Sequence, residues 1–202
     1  MEKLQWDKVR VLVANYCNYK CPFCHNEGQD KATTKERMSL QSFKRLVDVL
    51  SDQPISEFNI SGGEPFLNED IVDMILYIND NLDCDKSCAT NLSLIKPEHI
   101  NALSRTRIKF NIQFPFATAE AFKRSTVTGN LDRILNSIDL LRAENIQVGL
   151  NTVLQSDDFT SIPTLIDFAL ERGLPLKLLP QIGLSGSEPV SYTHLRAHEP
   201  AA

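Results

Sequence analysis

The chain has 202 residues, of which 42% are hydrophobic and 23% are charged, and these proportions are typical of one globular domain with a sizeable core. Its 21 basic and 26 acidic residues give a net charge of -5, which argues against binding to bulk nucleic acid. No apolar run approaches the roughly 18 residues that a membrane span requires. We therefore expect a cytoplasmic protein with no membrane partner.

Strand and helix patterns alternate along the chain. Alternating valines at Val9, Val11 and Val13 predict a first strand, and Ser39 is the predicted N-cap of the helix that follows. Further strands are predicted at residues 58–60, 87–90, 108–113, 148–153 and 176–179. Helices are predicted after Asn68 as an N-cap, from Pro97, around residues 131–141, and over residues 162–170 with Gly173 at the end.

Six such alternations predict an α/β fold with a parallel sheet, in which active residues lie at the carboxyl ends of the strands. Periodicity alone leaves open whether the sheet curls into a barrel or stays flat. We expect the folded domain to span residues 1–185. Residues 186–202 have no apolar period and resemble adapter-derived sequence, so we expect a foreign tail in place of the native C-terminus. His194 and His198 lie in this tail and are not interpreted as metal ligands.

Cysteines carry the strongest chemical signal. Cys17, Cys21 and Cys24 fall within eight residues, directly after the first predicted strand, so that three thiolates can turn toward one small object. Three soft ligands leave one coordination position open, whereas a structural zinc site requires a fourth ligand. A zinc-binding module and an iron–sulfur electron-transfer module remain alternatives. Cys84 and Cys88 are interpreted as small buried thiols.

The arrangement Cys-x-x-x-Cys-x-aromatic-Cys after a first strand resembles the signature of the radical S-adenosylmethionine (SAM) superfamily. This resemblance implies a partial (β/α)6 TIM-like barrel and a 4Fe-4S cluster held by the three cysteines. It also implies that SAM binds the open iron, with Phe23 near the adenine. The cluster would cleave SAM reductively to a 5'-deoxyadenosyl radical that abstracts hydrogen from a substrate.

A second motif, Ser61-Gly62-Gly63-Glu64-Pro65, follows the second predicted strand, on the same rim as the cysteines. Glycines allow close backbone approach to a ligand, and the Glu64 carboxylate is an acceptor for an ammonium group. The resemblance implies that Gly62, Gly63 and Glu64 bind the SAM amino group. It also makes Gln113 and Asn151, at the ends of the fourth and fifth strands, candidates for contacts with the SAM ribose or carboxylate.

Within the superfamily, the segments around Thr128-Gly129, residues 131–135 and residues 151–154 are similar to the branch that contains GTP 3',8-cyclase. Peptide-modifying maturases share the same barrel segments. Both groups usually carry further cluster-binding cysteines after the barrel, and this sequence has none there. The resemblance implies a small-molecule or peptide substrate and an electron donor of the flavodoxin or ferredoxin type. No catalytic acid or base stands out.

Overall fold

The computed structural model describes residues 6–24, 34–154 and 159–181. The tail with His194 and His198 lies outside the described residues. No helix among the described residues is long and apolar enough to cross a bilayer.

A single sheet of six parallel strands organises the fold. The strands are β1 (Trp6–Leu12), β2 (Ile55–Ser61), β3 (Asp85–Thr90), β4 (Ile108–Gln113), β5 (Gln147–Leu154) and β6 (Leu176–Pro180). Their spatial order is the same as their order in the chain, and every pair is parallel. The sheet curls into a half-barrel, which confirms the predicted partial TIM-like fold. Among the described residues, β1 and β6 do not pair with each other.

Helices connect the strands and cover the outer face of the sheet. They are α1 (Leu40–Leu50), α2 (Ile71–Asn81), α3 (Pro97–Leu103), α4 (Ala119–Thr126), α5 (Leu131–Ala143) and α6 (Ile162–Glu171). Ser39 caps α1 as predicted, because its hydroxyl accepts from the Ser42 N–H at 3.2 Å. The sequence did not predict α4, whose only large apolar side chain is Phe122.

The hydrophobic core lies between the helices and the outward-facing side chains of the strands. Phe58 of β2 packs edge-on against Phe43 of α1, with ring centroids 6.0 Å apart, and both rings are fully buried. In β4 the buried Phe110 and Ile112 alternate with half-buried polar residues such as Asn111. The interior of the half-barrel is therefore polar, and its outer face is the apolar one.

Asn68 is not the N-cap residue of α2 that the sequence predicts, although its Oδ1 accepts from the Asp70 N–H at 3.1 Å just before that helix. Helix α2 begins at Ile71 with Asp70 as its N-cap residue, and Asn68 instead ends a 3-10 turn. Its buried amide donates to the carbonyls of Val13 and Met38 at 3.0 and 2.9 Å. Asn68 thus ties the end of β1 to the segment before α1, and it adds to the direct hydrogen bond from the Met38 N–H to the Val13 carbonyl at 3.0 Å.

Replacing this buried amide tests how firmly it holds β1. We expect Asn68→Leu, which keeps the size but removes the donors, to lower the free energy of unfolding by about 2 to 4 kcal/mol. Chemical denaturation measures the change. The matched control is Asn81→Leu, because Asn81 is exposed and donates only to the Tyr77 carbonyl of its own helix. Equal stability losses in the two variants would contradict the assignment.

Candidate functional site

A cavity of about 260 Å³ lies at the carboxyl ends of the strands, inside the half-barrel. The loop that carries Cys17, Cys21 and Cys24 runs along one side of it, directly after β1. All the predicted site residues except Glu64 line this cavity: Cys17, Cys21, Cys24, Phe23, Gly62, Gly63, Gln113 and Asn151. The structure therefore brings together residues that are spread over more than 130 positions of the sequence.

Gly62 and Gly63 are required first by the protein's own backbone. A Cβ on Gly63 would overlap the Tyr16 carbonyl, and a Cβ on Gly62 would lie 2.5 Å from the Ala14 oxygen. Gly62 also has a φ of +147°, which side chains rarely allow. The Gly63 N–H donates to Ala14 at 2.8 Å. The glycines thus allow the end of β2 to pack against the cysteine loop, with both segments lining the cavity.

Glu64 does not line the cavity itself but bonds to Thr90 and Asn91, which do, and its contact with the SAM amino group stays a prediction. It is fully buried. One carboxylate oxygen accepts from the Phe66 N–H at 3.0 Å and the Thr90 hydroxyl at 2.7 Å, and the other accepts from the Asn91 N–H at 2.7 Å. Glu64 therefore fixes the end of β3 to the end of β2.

Burial raises the pKa of Glu64, and its three hydrogen bonds oppose that rise only in part. When folding raises the pKa of a carboxyl group, the protonated form of that group stabilises the folded state. This gain is present at low pH and is lost as the pH rises through the raised pKa.

The chain makes a tight turn after β3. Leu92 is fully buried and has a φ of +61°, a left-handed conformation that costs a non-glycine residue about 1 to 3 kcal/mol. Its N–H donates to the Thr90 hydroxyl at 2.9 Å. The turn places the Asn91 side chain beside the cysteine loop, where Asn91 Nδ2 lies 3.6 Å from Cys17 Sγ.

Their surroundings favour the neutral form of two of the thiols, Cys17 and Cys21. Burial raises the pKa of Cys17, and burial together with the neighbouring Cys17 and Cys24 raises the pKa of Cys21 to about 12. Three thiolates so close together need a cation to balance them. Binding a metal centre would supply that charge and release protons.

In the described ranges, no three side chains of the Cys, His, Asp or Glu type converge closely enough to hold a single metal ion. A cluster of four irons and four sulfides is much wider than one ion, so its thiolate ligands stand further apart than those of zinc. All three cysteines line the same cavity.

Two amide side chains line the cavity from β4 and β5. Gln113 ends β4, and its Nε2 is buried with no hydrogen-bond partner among the described residues. Asn151 lies beside it on β5, in register with Gln113. A buried amide nitrogen without a partner is costly, so the Gln113 side chain suits a ligand that carries oxygen acceptors.

Sequence reasoning missed several residues that line or support the cavity. Arg10 and Asn111 lie on the inner face of β1 and β4 and line it. Alternation along the strands was the available signal, because Asn111 shares a face with Gln113. Asn18 and Ser93 join a hydrogen-bonded group beside Cys17, and no local pattern marks them.

Cys88 is fully buried in β3 as predicted, and Cys84 is half-buried just before that strand.

Exchanging the Glu64 carboxylate for an amide tests its structural role. Glu64→Gln keeps one acceptor oxygen but places an NH2 group against the Asn91 N–H, so we expect a loss of roughly 1 to 3 kcal/mol in unfolding free energy. The loss should be largest near pH 4.5 and shrink as the pH rises, because only the wild-type carboxyl has a raised pKa. Denaturation at several pH values measures this trend.

Glu69→Gln is the control, since Glu69 is exposed and pairs only with Arg37 at the surface. A pH-independent difference between wild type and Glu64→Gln would contradict this account of Glu64.

Comparison with known proteins adds independent evidence. The family model described as the Radical SAM superfamily matches residues 11–169, which is more than half of the chain. The GTP 3',8-cyclase of Clostridium perfringens strain 13 is 29% identical over 176 residues, covering 86% of this chain and 54% of that protein. The probable GTP 3',8-cyclase of Thermococcus kodakarensis is 30% identical over 173 residues, covering 85% and 55%. The chain thus spans about half the length of these relatives.

Solved structures agree on the fold. Streptococcus suis SuiB bound to S-adenosylmethionine superposes with a TM-score of 0.80 at 17% identity, covering 95% of this chain and 45% of SuiB. At that level of identity the likeness concerns the fold alone. The matched family model and the shared half-barrel lead to one assignment: the chain belongs to the radical SAM superfamily, whose cofactors are a 4Fe-4S cluster and S-adenosylmethionine.

Proposed function

We propose that residues 1–185 form the core domain of a radical SAM enzyme, with the cluster on Cys17, Cys21 and Cys24 and SAM in the adjoining cavity. The observation that carries the proposal is that the three thiols share one cavity with the Gly62-Gly63 backbone and two amide side chains. Three protein ligands leave one iron of a 4Fe-4S cluster free to bind another molecule. The alternatives of a zinc module and a simple electron carrier have no comparable support.

The proposed ligand contacts follow from what each group offers. The Gly62 and Gly63 backbone lies beside the cysteine loop and suits the SAM amino group. Because the Glu64 side chain is used within the fold, we assign any contact at that position to its main chain. The unpartnered Gln113 amide and Asn151 suit the ribose or carboxylate oxygens, and the buried Phe23 ring suits the adenine.

When bound, the cluster and SAM supply a reductive cleavage that yields methionine and a 5'-deoxyadenosyl radical, which takes a hydrogen atom from the substrate. The protein's own groups bind and orient. In the loaded enzyme the cysteine loop would hold the cluster at the rim of the half-barrel, and the amides of β4 and β5 would orient the nucleoside.

We infer a small-molecule or peptide substrate. The two relatives described above are cyclases of GTP, and SuiB has also been solved with its precursor peptide SuiA. A low-potential one-electron donor of the flavodoxin or ferredoxin type would reduce the cluster. The acidic net charge of -5 and the five free cysteines favour a cytoplasmic reaction without bulk nucleic acid.

Cleavage of SAM is the direct test. We expect the anaerobically reconstituted chain, reduced with dithionite in the presence of SAM, to form 5'-deoxyadenosine, and chromatography measures the product. Cys21→Ala should lose the cluster and the product. Cys84→Ala is the matched control and should keep both, because Cys84 lies before β3 at the opposite end of the strands. Full cluster in Cys21→Ala, or SAM binding without cleavage, would overturn the proposal.

The packing of β2 against the cysteine loop gives a second test. Gly63→Ala should displace the loop, because its Cβ would lie 2.2 to 2.8 Å from backbone atoms of Tyr16 and Cys17. We expect the iron content after reconstitution to fall several-fold. Gly149→Ala is the control, since a Cβ there would meet its neighbours at an ordinary 3.5 Å. Equal iron content in the two variants would contradict the role of Gly63.

A further inference from the structure

Asn91 is held in one orientation by the groups around it. Its Oδ1 accepts from the Ser93 N–H at 2.9 Å and from the Ser93 hydroxyl at 2.6 Å. A backbone N–H can only donate, so the oxygen of the Asn91 amide must face Ser93. Its NH2 group therefore faces the cysteine loop.

The two hydrogens of that NH2 group have one acceptor each. Asn91 Nδ2 lies 2.9 Å from Asn18 Oδ1 and 3.6 Å from Cys17 Sγ. Asn18 is fixed in turn, because its own Nδ2 donates to the Ser93 hydroxyl at 2.8 Å. Asn18, Asn91 and Ser93 form a closed ring of hydrogen bonds. Each donor in this ring faces an acceptor.

The main chain fixes this ring to the fold. The Asn91 N–H donates to the buried Glu64 carboxylate at 2.7 Å, and only 6% of Asn91 is exposed. The Asn91 amide therefore cannot swing away from Cys17 without breaking buried hydrogen bonds. Cys17 Sγ also accepts from the Tyr19 N–H at 3.3 Å.

We propose that Asn91 is a positioning residue that donates a hydrogen bond to the Cys17 thiolate of the loaded enzyme and so raises the reduction potential of the cluster. The inference rests on the proposed cluster site. One-electron reduction by a low-potential donor adds a negative charge to the cluster and its sulfur ligands. A hydrogen bond to a ligand sulfur stabilises that charge, and such bonds are among the factors that set iron–sulfur potentials.

The test is a potentiometric titration of the reconstituted 202-residue chain without SAM, followed by electron paramagnetic resonance of the reduced cluster. We expect Asn91→Leu to lower the midpoint potential. At a fixed solution potential the ratio of reduced to oxidised cluster should fall at least threefold, which corresponds to roughly 28 mV at 59 mV per tenfold change. Asn91→Ser, too short to reach Cys17, should shift the potential in the same direction.

Two control variants distinguish loss of the hydrogen bond between Asn91 and Cys17 from a general disturbance of the buried hydrogen bonds. Ser93→Ala perturbs the same ring but leaves the Asn91 NH2 group in place, so its midpoint should stay close to that of the wild type. Asn59→Leu removes another buried asparagine, whose amide donates to the Ser87 hydroxyl. It too should leave the midpoint unchanged.

An unchanged midpoint in Asn91→Leu with full cluster content would overturn the inference, as would equal shifts in Asn91→Leu and Ser93→Ala. Loss of the cluster from both Asn91 variants, but not from Ser93→Ala, would assign Asn91 to assembly of the loop and overturn the proposed tuning. A wild-type chain that binds no cluster would overturn the proposed function itself. A normal cluster that never cleaves SAM would overturn the proposed function but leave the potential shift measurable.

Discussion

Three backbone hydrogen bonds between the end of β2 and the cysteine loop support the whole site. The Val13 N–H donates to Ser61, the Gly63 N–H to Ala14 and the Glu64 N–H to Tyr16, at 2.8 to 3.0 Å. They extend the pairing of β1 with β2 beyond the strands and align the cysteine loop with the neighbouring strand end. Only glycine at position 63 allows this approach, since any Cβ would overlap the loop backbone.

A second layer of buried polar groups continues this connection to β3. Glu64 accepts from Thr90 and Asn91, and Asn91 reaches back to Cys17. Hydrogen bonds thereby join the ends of β1, β2 and β3, and no flexible surface side chain takes part in them. Such a network is rigid only while every member is satisfied, so its residues are sensitive to substitution even where they touch no ligand.

The sequence predicted most of the fold because its strands and helices have strong periodic patterns. β4 was predicted with its observed bounds, and the buried stripe of α5 matched the apolar spacing around Ile134 and Ile138. Helix α4 was missed because eight residues with one large apolar side chain give no period. Asn68 was misassigned because capping residues and buried linking residues have the same local signature.

The sequence predicted some features of the site but not others. The cysteine spacing and the two glycines are local patterns, and they indicated where the cavity lies. The direction of the Glu64 side chain depends on donors from β3 that are 26 and 27 residues away in sequence. The ring around Asn91 depends on Asn18, 73 residues away. No local window of sequence contains those partners, so only the folded chain reveals them.

The two edges of the half-barrel have a consequence for how the cavity is enclosed. A closed barrel admits molecules only through its mouth, and its diameter limits their width. Here, in the described part of the chain, β1 and β6 leave a lateral gap beside the cavity. The described strands alone therefore do not enclose the cavity on every side.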